Sequence, residues 1–186
     1  MPTVFLARHG NEPGGFRGGW SSHGLDSLGE AQALALAEYL LENQGNYNIK
    51  KIYSSDLPRA MQTAQAVADK LGLPVIEKSG FREVNNGALA GMPNEEADRL
   101  YPNLYWKGLG WEEKYPKGES PKAFYGRISA EWKSLLEELR IGNENVLLIT
   151  HGGVIQVILS ILKGERYSNG KNFGSVSCCD LMKIEM

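Results

Sequence analysis

Two arginines, two histidines and a glutamate carry the chemistry open to this sequence: Arg8 and His9 in "LARHGNE", Arg59 in "IYSSDLPRAMQTAQ", Glu83 in "FREVNNGALAG" and His151 in "THGGVI". The arginines offer forked donors that match phosphate oxygens and stay charged at any accessible pH. A neutral imidazole, at His9 or His151, can attack phosphorus and form a covalent intermediate, splitting one difficult displacement into two easier ones. A carboxyl group at Glu83 can protonate a departing alkoxide and later take a proton from water. With the arginines stabilising the equatorial oxygens, such a set performs phosphoryl transfer with no metal or other cofactor.

Those residues act together only if the fold gathers them. "TVFLA", "KKIYSS", "LPVIEK" and "NVLLIT" read as strands, and "SVSCCDLMKIE" as a last one. Between them run helical patterns. "LGEAQALALAEYLLEN" places Leu28, Ala31, Ala35, Tyr39 and Leu40 on one face, and "RAMQTAQAVADKLG" follows a cap at Asp56 and Pro58 and stops at Gly72. Ser120 caps a long helix from Pro121 to about Arg140, and "GVIQVILSILKG" follows the fourth strand as a buried helix. From Ser79 to Ser120 the pattern weakens, and only "NEEADRLY", capped by Asn94, suggests a helix.

Alternating strands and helices predict a three-layer α/β/α fold around a mostly parallel sheet. In such a sheet ligands bind beyond the carboxyl ends of the strands. His9 follows the first strand, Arg59 the second, Glu83 the third and His151 the fourth, so all four are expected at one edge. A lone Arg-His-Gly also suits a histidine that merely closes a strand. The matching positions of the others favour reactivity.

Composition narrows the partners. The 186 residues are expected to form one domain, 1–186, with an excursion over the pocket at about 79–120. Twenty basic and 22 acidic residues leave a net charge of -2, without the basic excess of a nucleic-acid or membrane-surface binder. The apolar start and "VIQVILSIL" are both too short for a signal peptide or a membrane span, and the two cysteines, Cys178 and Cys179, are adjacent. A cytoplasmic location and a reducing compartment are expected. The three histidines, His23 included, show no metal-ligand spacing, and Arg8 beside His9 opposes a cation.

At these blocks the sequence resembles the histidine phosphatase superfamily, which includes cofactor-dependent phosphoglycerate mutases and many small phosphatases. "ARHG", "GWSSHGLDSLGEAQA", "IYSSDLPRAMQTAQ", "FREVNNGALAG", "GES" and "THGGVI" occur in the family's order along nearly the whole chain. The resemblance implies that His9 is the phosphorylated nucleophile, that Arg8, Arg59 and His151 form the phosphate pocket, and that Glu83 is the proton donor. Asn11 and Gly152 join Arg8, Arg59 and His151 as expected substrate contacts.

The sequence departs from the family after Arg-His-Gly. Glu or Gln followed by Thr or Ser is usual there, whereas Asn11 and Glu12 stand here. An inward Glu12 would repel a phosphate. The covering segment "NLYWKGLGWEEKYPKGE" holds Lys107, Lys114 and Lys117 but no arginine, fewer cations than a mutase needs for a second anionic group. Its aromatics, Tyr101, Tyr105, Trp106, Trp111 and Tyr115, are expected to serve mainly as packing, with one or two facing the pocket. The reading is a metal-independent phosphatase of small phosphomonoesters. Mutase-type transfer and an inactive phosphate-binding module are the alternatives.

Overall fold

The first apolar run becomes the centre of the sheet. In the computed structural model, which describes residues 2–174 and 176–185, strand β1 (Thr3–Arg8) lies between β4 (Asn145–Thr150), parallel to it, and the antiparallel β5 (Leu181–Glu185). β2 (Ile49–Ser54) pairs in parallel with β4, and β3 (Val75–Glu77) in parallel with β2, in the order β3-β2-β4-β1-β5. Both faces of β1 and β4 are covered, which is why their sequences read as unbroken apolar runs.

Alternation along the strands divides the core in two. Val4, Leu6, Val146 and Leu148 meet α5 (Pro121–Gly142) and α6 (Gly152–Leu162) through Phe124, Ile128, Trp132 and Val154. Phe5, Ala7, Leu147 and Ile149 meet α1 (Ser27–Glu42) and α3 (Pro58–Leu71) on the other side. Each fully buried aliphatic or Phe side chain here contributes about 1.5–3 kcal/mol by leaving water. The three layers and the mostly parallel sheet are those expected, with β5 the antiparallel member. Among the described residues no helix is long and apolar enough to cross a membrane.

Several local expectations are corrected. In α1 the buried stripe is Gly29, Ala33, Leu36, Ala37 and Leu40, while Leu28 and Tyr39 are exposed. Gly29 faces inward because the start of α1 packs against the backbone of the loop at Gly10 and Asn11. Asp56 does not cap α3; Leu57 occupies that position, and the Asp56 carboxylate accepts from Arg82 instead (2.6 and 2.5 Å). Asn94 is the first residue of α4 (Asn94–Leu100), behind Pro93, and provides no side-chain cap. Ser120 does cap α5, accepting from the Ala123 amide at 3.2 Å.

The last strand is shorter than expected, beginning only at Leu181. Cys178 bridges to Arg8 and Cys179 takes a left-handed turn (φ 60°), with its amide on the Arg8 carbonyl at 2.9 Å; Ser175, the start of the expected strand, lies outside the described residues. A short helix absent from the expectation, α2 (Gln44–Tyr47), leads into β2. The weakly patterned stretch holds α4 and three single 3₁₀ turns around a small third cluster of Leu89, Ala97, Leu109 and Tyr115.

Candidate active site

His9 sits one residue past β1, held by its amide on the Thr150 carbonyl at the end of β4 (2.9 Å). Its ring is buried, and Nδ1 lies 2.7 Å from the Gly10 carbonyl. A carbonyl can only accept, so Nδ1 carries the hydrogen and Nε2 keeps its lone pair. Arg59 Nε, donating to Nε2 at 3.2 Å, requires the same tautomer. Gly10 is needed for packing: a Cβ there would stand 2.5 Å from the Gly29 carbonyl of α1. Its amide donates to Thr63 Oγ1 on α3 (3.0 Å).

Arg59 and His151 arrive as expected from the ends of β2 and β4. Arg59, in the first turn of α3, is fully buried, with Nη1 on Ser21 Oγ (3.3 Å) and Nη2 on the Gly19 carbonyl (2.8 Å). Burial lowers its pKa, an effect opposed by the nearby charges of Glu12 and Glu83. His151 precedes α6; its Nε2 is bonded to Ser55 Oγ (2.8 Å), and its ring centroid lies 5.0 Å from that of His9. Arg8 lies against Gly152, with Nη1 3.5 Å from the Val176 carbonyl. Among the described residues Arg8 Nε and His151 Nδ1 are buried without a hydrogen-bond partner. Unpaired buried polar atoms are costly, and a polar ligand bound at this edge would supply a partner for both.

Glu83 reaches the same edge from beyond β3. Its carboxylate accepts from the Gly153 amide at the start of α6 and from the Val84 amide, both at 3.0 Å. A Cβ at 153 would meet Glu83 Oε1 at 2.3 Å, so any larger residue there would displace the carboxylate. Arg82 beside it is spent on Asp56, so Glu83 is not half of a local ion pair.

The residues that hold Glu83 were not singled out from the sequence. Arg127, in the second turn of α5, donates to the carbonyls of Gly80, Arg82 and Glu83 (2.8, 3.0 and 3.1 Å) while paired with Glu119. Trp20 Nε1 donates to the same Glu83 carbonyl at 2.6 Å. Asn86 ties down the facing loop, accepting from the Trp20 amide and donating to the Gly18 carbonyl, both at 3.1 Å. A half-buried arginine aimed at three carbonyls leaves no motif, because its partners lie 44 to 47 residues away.

Asn11 is turned toward the start of α1. Its amide donates to Asp26 Oδ2 at 2.6 Å, its backbone N–H to Gln32 Oε1 at 2.8 Å, and Asp26, the cap of α1, returns a backbone bond to its carbonyl. Glu12 does point inward, with Oε2 3.3 Å from Arg59 Nε. His23 packs edge-on against Phe16. Beyond Arg8 and Gly152 opens a cavity of about 370 Å³, lined also by Lys107, Lys171, Asn172 and Ser168, with Trp106 and Tyr167 as its aromatic walls. Trp106 otherwise stacks on Tyr115 and meets Phe124 edge-on, and Trp111 packs on Tyr125.

The electrostatics keep both histidines neutral. Burial, then the charges of Arg59 and Arg8, pull His9 down from 6.5 to about 3, against the opposing bond to Gly10. His151 is lowered as well, by burial first and then by His9 and the arginines. A histidine neutral when folded binds its proton only on unfolding, so the unfolded state holds more protons between the two pKa values. Stability is therefore expected to fall as pH drops from about 6.5 toward about 3, with His9 contributing up to about 1.4 kcal/mol per pH unit, and to be insensitive to this group above 6.5. Urea unfolding across that window measures the slope, which should be shallower in His9→Ala.

With this fold and edge in view, the class is clear: the chain belongs to the histidine phosphatase superfamily, branch 1, whose profile matches residues 4–186. It is an enzyme of the phosphatase and phosphoglycerate mutase kind. It is 28% identical over 167 residues to an uncharacterized phosphatase, PhoE, of Bacillus subtilis, a match covering 88% of this chain and 79% of the relative. It is 27% identical over 172 residues to a 2,3-bisphosphoglycerate-dependent phosphoglycerate mutase of Bartonella tribocorum, covering 87% and 82%. Its structure is similar to that of a mycobacterial glucosyl-3-phosphoglycerate phosphatase solved with VO3, at a TM-score of 0.79 and 26% identity over 100% of this chain and 91% of that one.

Proposed function

We propose that this chain is a metal-independent phosphatase that hydrolyses a small phosphomonoester through a phosphohistidine on His9. The observation that carries the reading is the bond from His9 Nδ1 to the Gly10 carbonyl, which keeps the hydrogen on Nδ1 and the lone pair on Nε2, where Arg59 Nε meets it at 3.2 Å until phosphate enters. Nε2 attacks phosphorus, an N–P bond forms, and the bond to the alcohol oxygen breaks. Protonated Glu83 gives its proton to that oxygen. Glu83 then takes a proton from water, whose oxygen bonds to phosphorus as the N–P bond breaks, so that orthophosphate leaves and Glu83 is protonated again. Arg8, Arg59 and His151 hold the equatorial oxygens, with the unpartnered Arg8 Nε and His151 Nδ1 as reserve contacts. Gly152 lines the approach, and Asn11 acts by fixing the loop through Asp26.

The alcohol half of the substrate occupies the 370 Å³ cavity. Arg8, Lys107 and Lys171 line it without any carboxylate among the described lining residues, which favours a polar or anionic group over an apolar one. Lys107 and Lys171 are also what would let a second anionic group be held for mutase-type transfer.

A panel of phosphomonoesters, phosphoglycerates included, tests this with and without chelator. Orthophosphate release unaffected by chelator is expected. Migration of the phosphoryl group without release indicates mutase-type transfer, and binding without turnover an inactive module. In the proton-donor role, Glu83→Gln should slow alkyl phosphate hydrolysis about 10²- to 10³-fold, but p-nitrophenyl phosphate far less, because its leaving group needs no proton. Equal losses on both substrates would remove Glu83 from that role.

A further inference from the structure

Glu12 sets a negative charge where the proposed chemistry delivers another. Its Oε2 lies 3.3 Å from Arg59 Nε, and that same nitrogen donates to His9 Nε2 at 3.2 Å. The other arms of Arg59 are committed to Ser21 and Gly19, so Nε is the edge turned to the reacting atom. The guanidinium is 1% exposed and the Glu12 side chain 24%. Beyond it, Pro13, Gly14 and Gly15 run exposed, which gives the carboxylate solvent to swing into.

Charge decides what this contact does. With Glu83 protonated, as the proposed chemistry requires when phosphate enters or leaves, Glu12 is the one carboxylate set against Arg8 and Arg59, and it offsets half of the positive charge the phosphate would meet. Attraction to Arg59 and repulsion from Glu12 act at similar short range and with little screening, since Arg59 is buried.

We propose that Glu12 sets the anion affinity of this site: its carboxylate competes with phosphate for Arg59, so that product orthophosphate is held weakly and released. The inference rests on the phosphatase reading. The alternative role, a brace that merely fixes Arg59 in place, predicts the opposite sign, because loss of a brace weakens anion binding.

The test is competitive inhibition of p-nitrophenyl phosphate hydrolysis by inorganic phosphate in wild type, Glu12→Gln and Glu12→Ala. Glutamine keeps the size and an acceptor oxygen; alanine removes both. The inhibition constant for phosphate is expected to fall about tenfold or more in both variants, with KM falling in the same direction. An unchanged or higher constant in the near-isosteric Glu12→Gln overturns the proposal. Calorimetric titration of inorganic phosphate into the same proteins reads the same affinity without turnover. Failure of the phosphatase reading shows elsewhere, as hydrolysis that survives in His9→Ala.

Discussion

His9→Ala is expected to lower kcat for phosphomonoester hydrolysis at least about 10⁴-fold, measured as orthophosphate release. The loss is large because nothing nearby substitutes. His151, the closest imidazole, is bonded through Nε2 to Ser55, and its own site at the start of α6 is fixed by the backbone of β4. The arginines remain, so substrate should still bind and KM should move much less than kcat. Folding should survive: the change removes a buried imidazole whose one N–H is bonded to the neighbouring Gly10 carbonyl, and above pH 6.5 no protonation penalty is involved. Turnover within tenfold of wild type would dismiss His9 as nucleophile.

Arg59→Met is expected to lower kcat/KM about 10³-fold or more, equivalent to about 4 kcal/mol of lost transition-state stabilisation. One guanidinium here meets His9, Ser21, Gly19 and Glu12 at once. Methionine fills a similar volume but leaves the Gly19 carbonyl unpaired, at about 1–3 kcal/mol, against which the relief of a buried charge is set. Stability should therefore change less than activity. Arg59→Lys should restore little, since a single ammonium cannot reproduce a fork with four partners. Full activity in Arg59→Lys, with kcat/KM assayed against the same ester, would show that charge alone matters and the geometry does not.

What the sequence made legible and what it hid differ by range of interaction. The strands were readable because β1 and β4 are buried on both faces, so "TVFLA" and "NVLLIT" carry no polar interruption. Once the strands were placed, the edge holding His9, Arg59, Glu83 and His151 followed from topology. The inward face of α1 was not readable, because "ALALAEYLL" offers two apolar stripes and the choice was fixed by Gly29, the residue that fits against the backbone of the site loop. The turn before β5 was missed because Cys179, a residue with no turn preference, takes the left-handed conformation. Asp56 looked like a cap because no local pattern shows that Arg82, 26 residues on, claims it. The support of Glu83 by Arg127 and Trp20, and the pairing of Glu12 with Arg59, depend on loops from distant parts of the chain closing over one another.

The most direct test is to quench wild-type enzyme during turnover of a phosphate-labelled phosphomonoester and map the label. A phosphate that is labile to acid, stable to base and located on His9 is the predicted result. Label on His151, or steady turnover with no phosphoenzyme formed at any time, would contradict it.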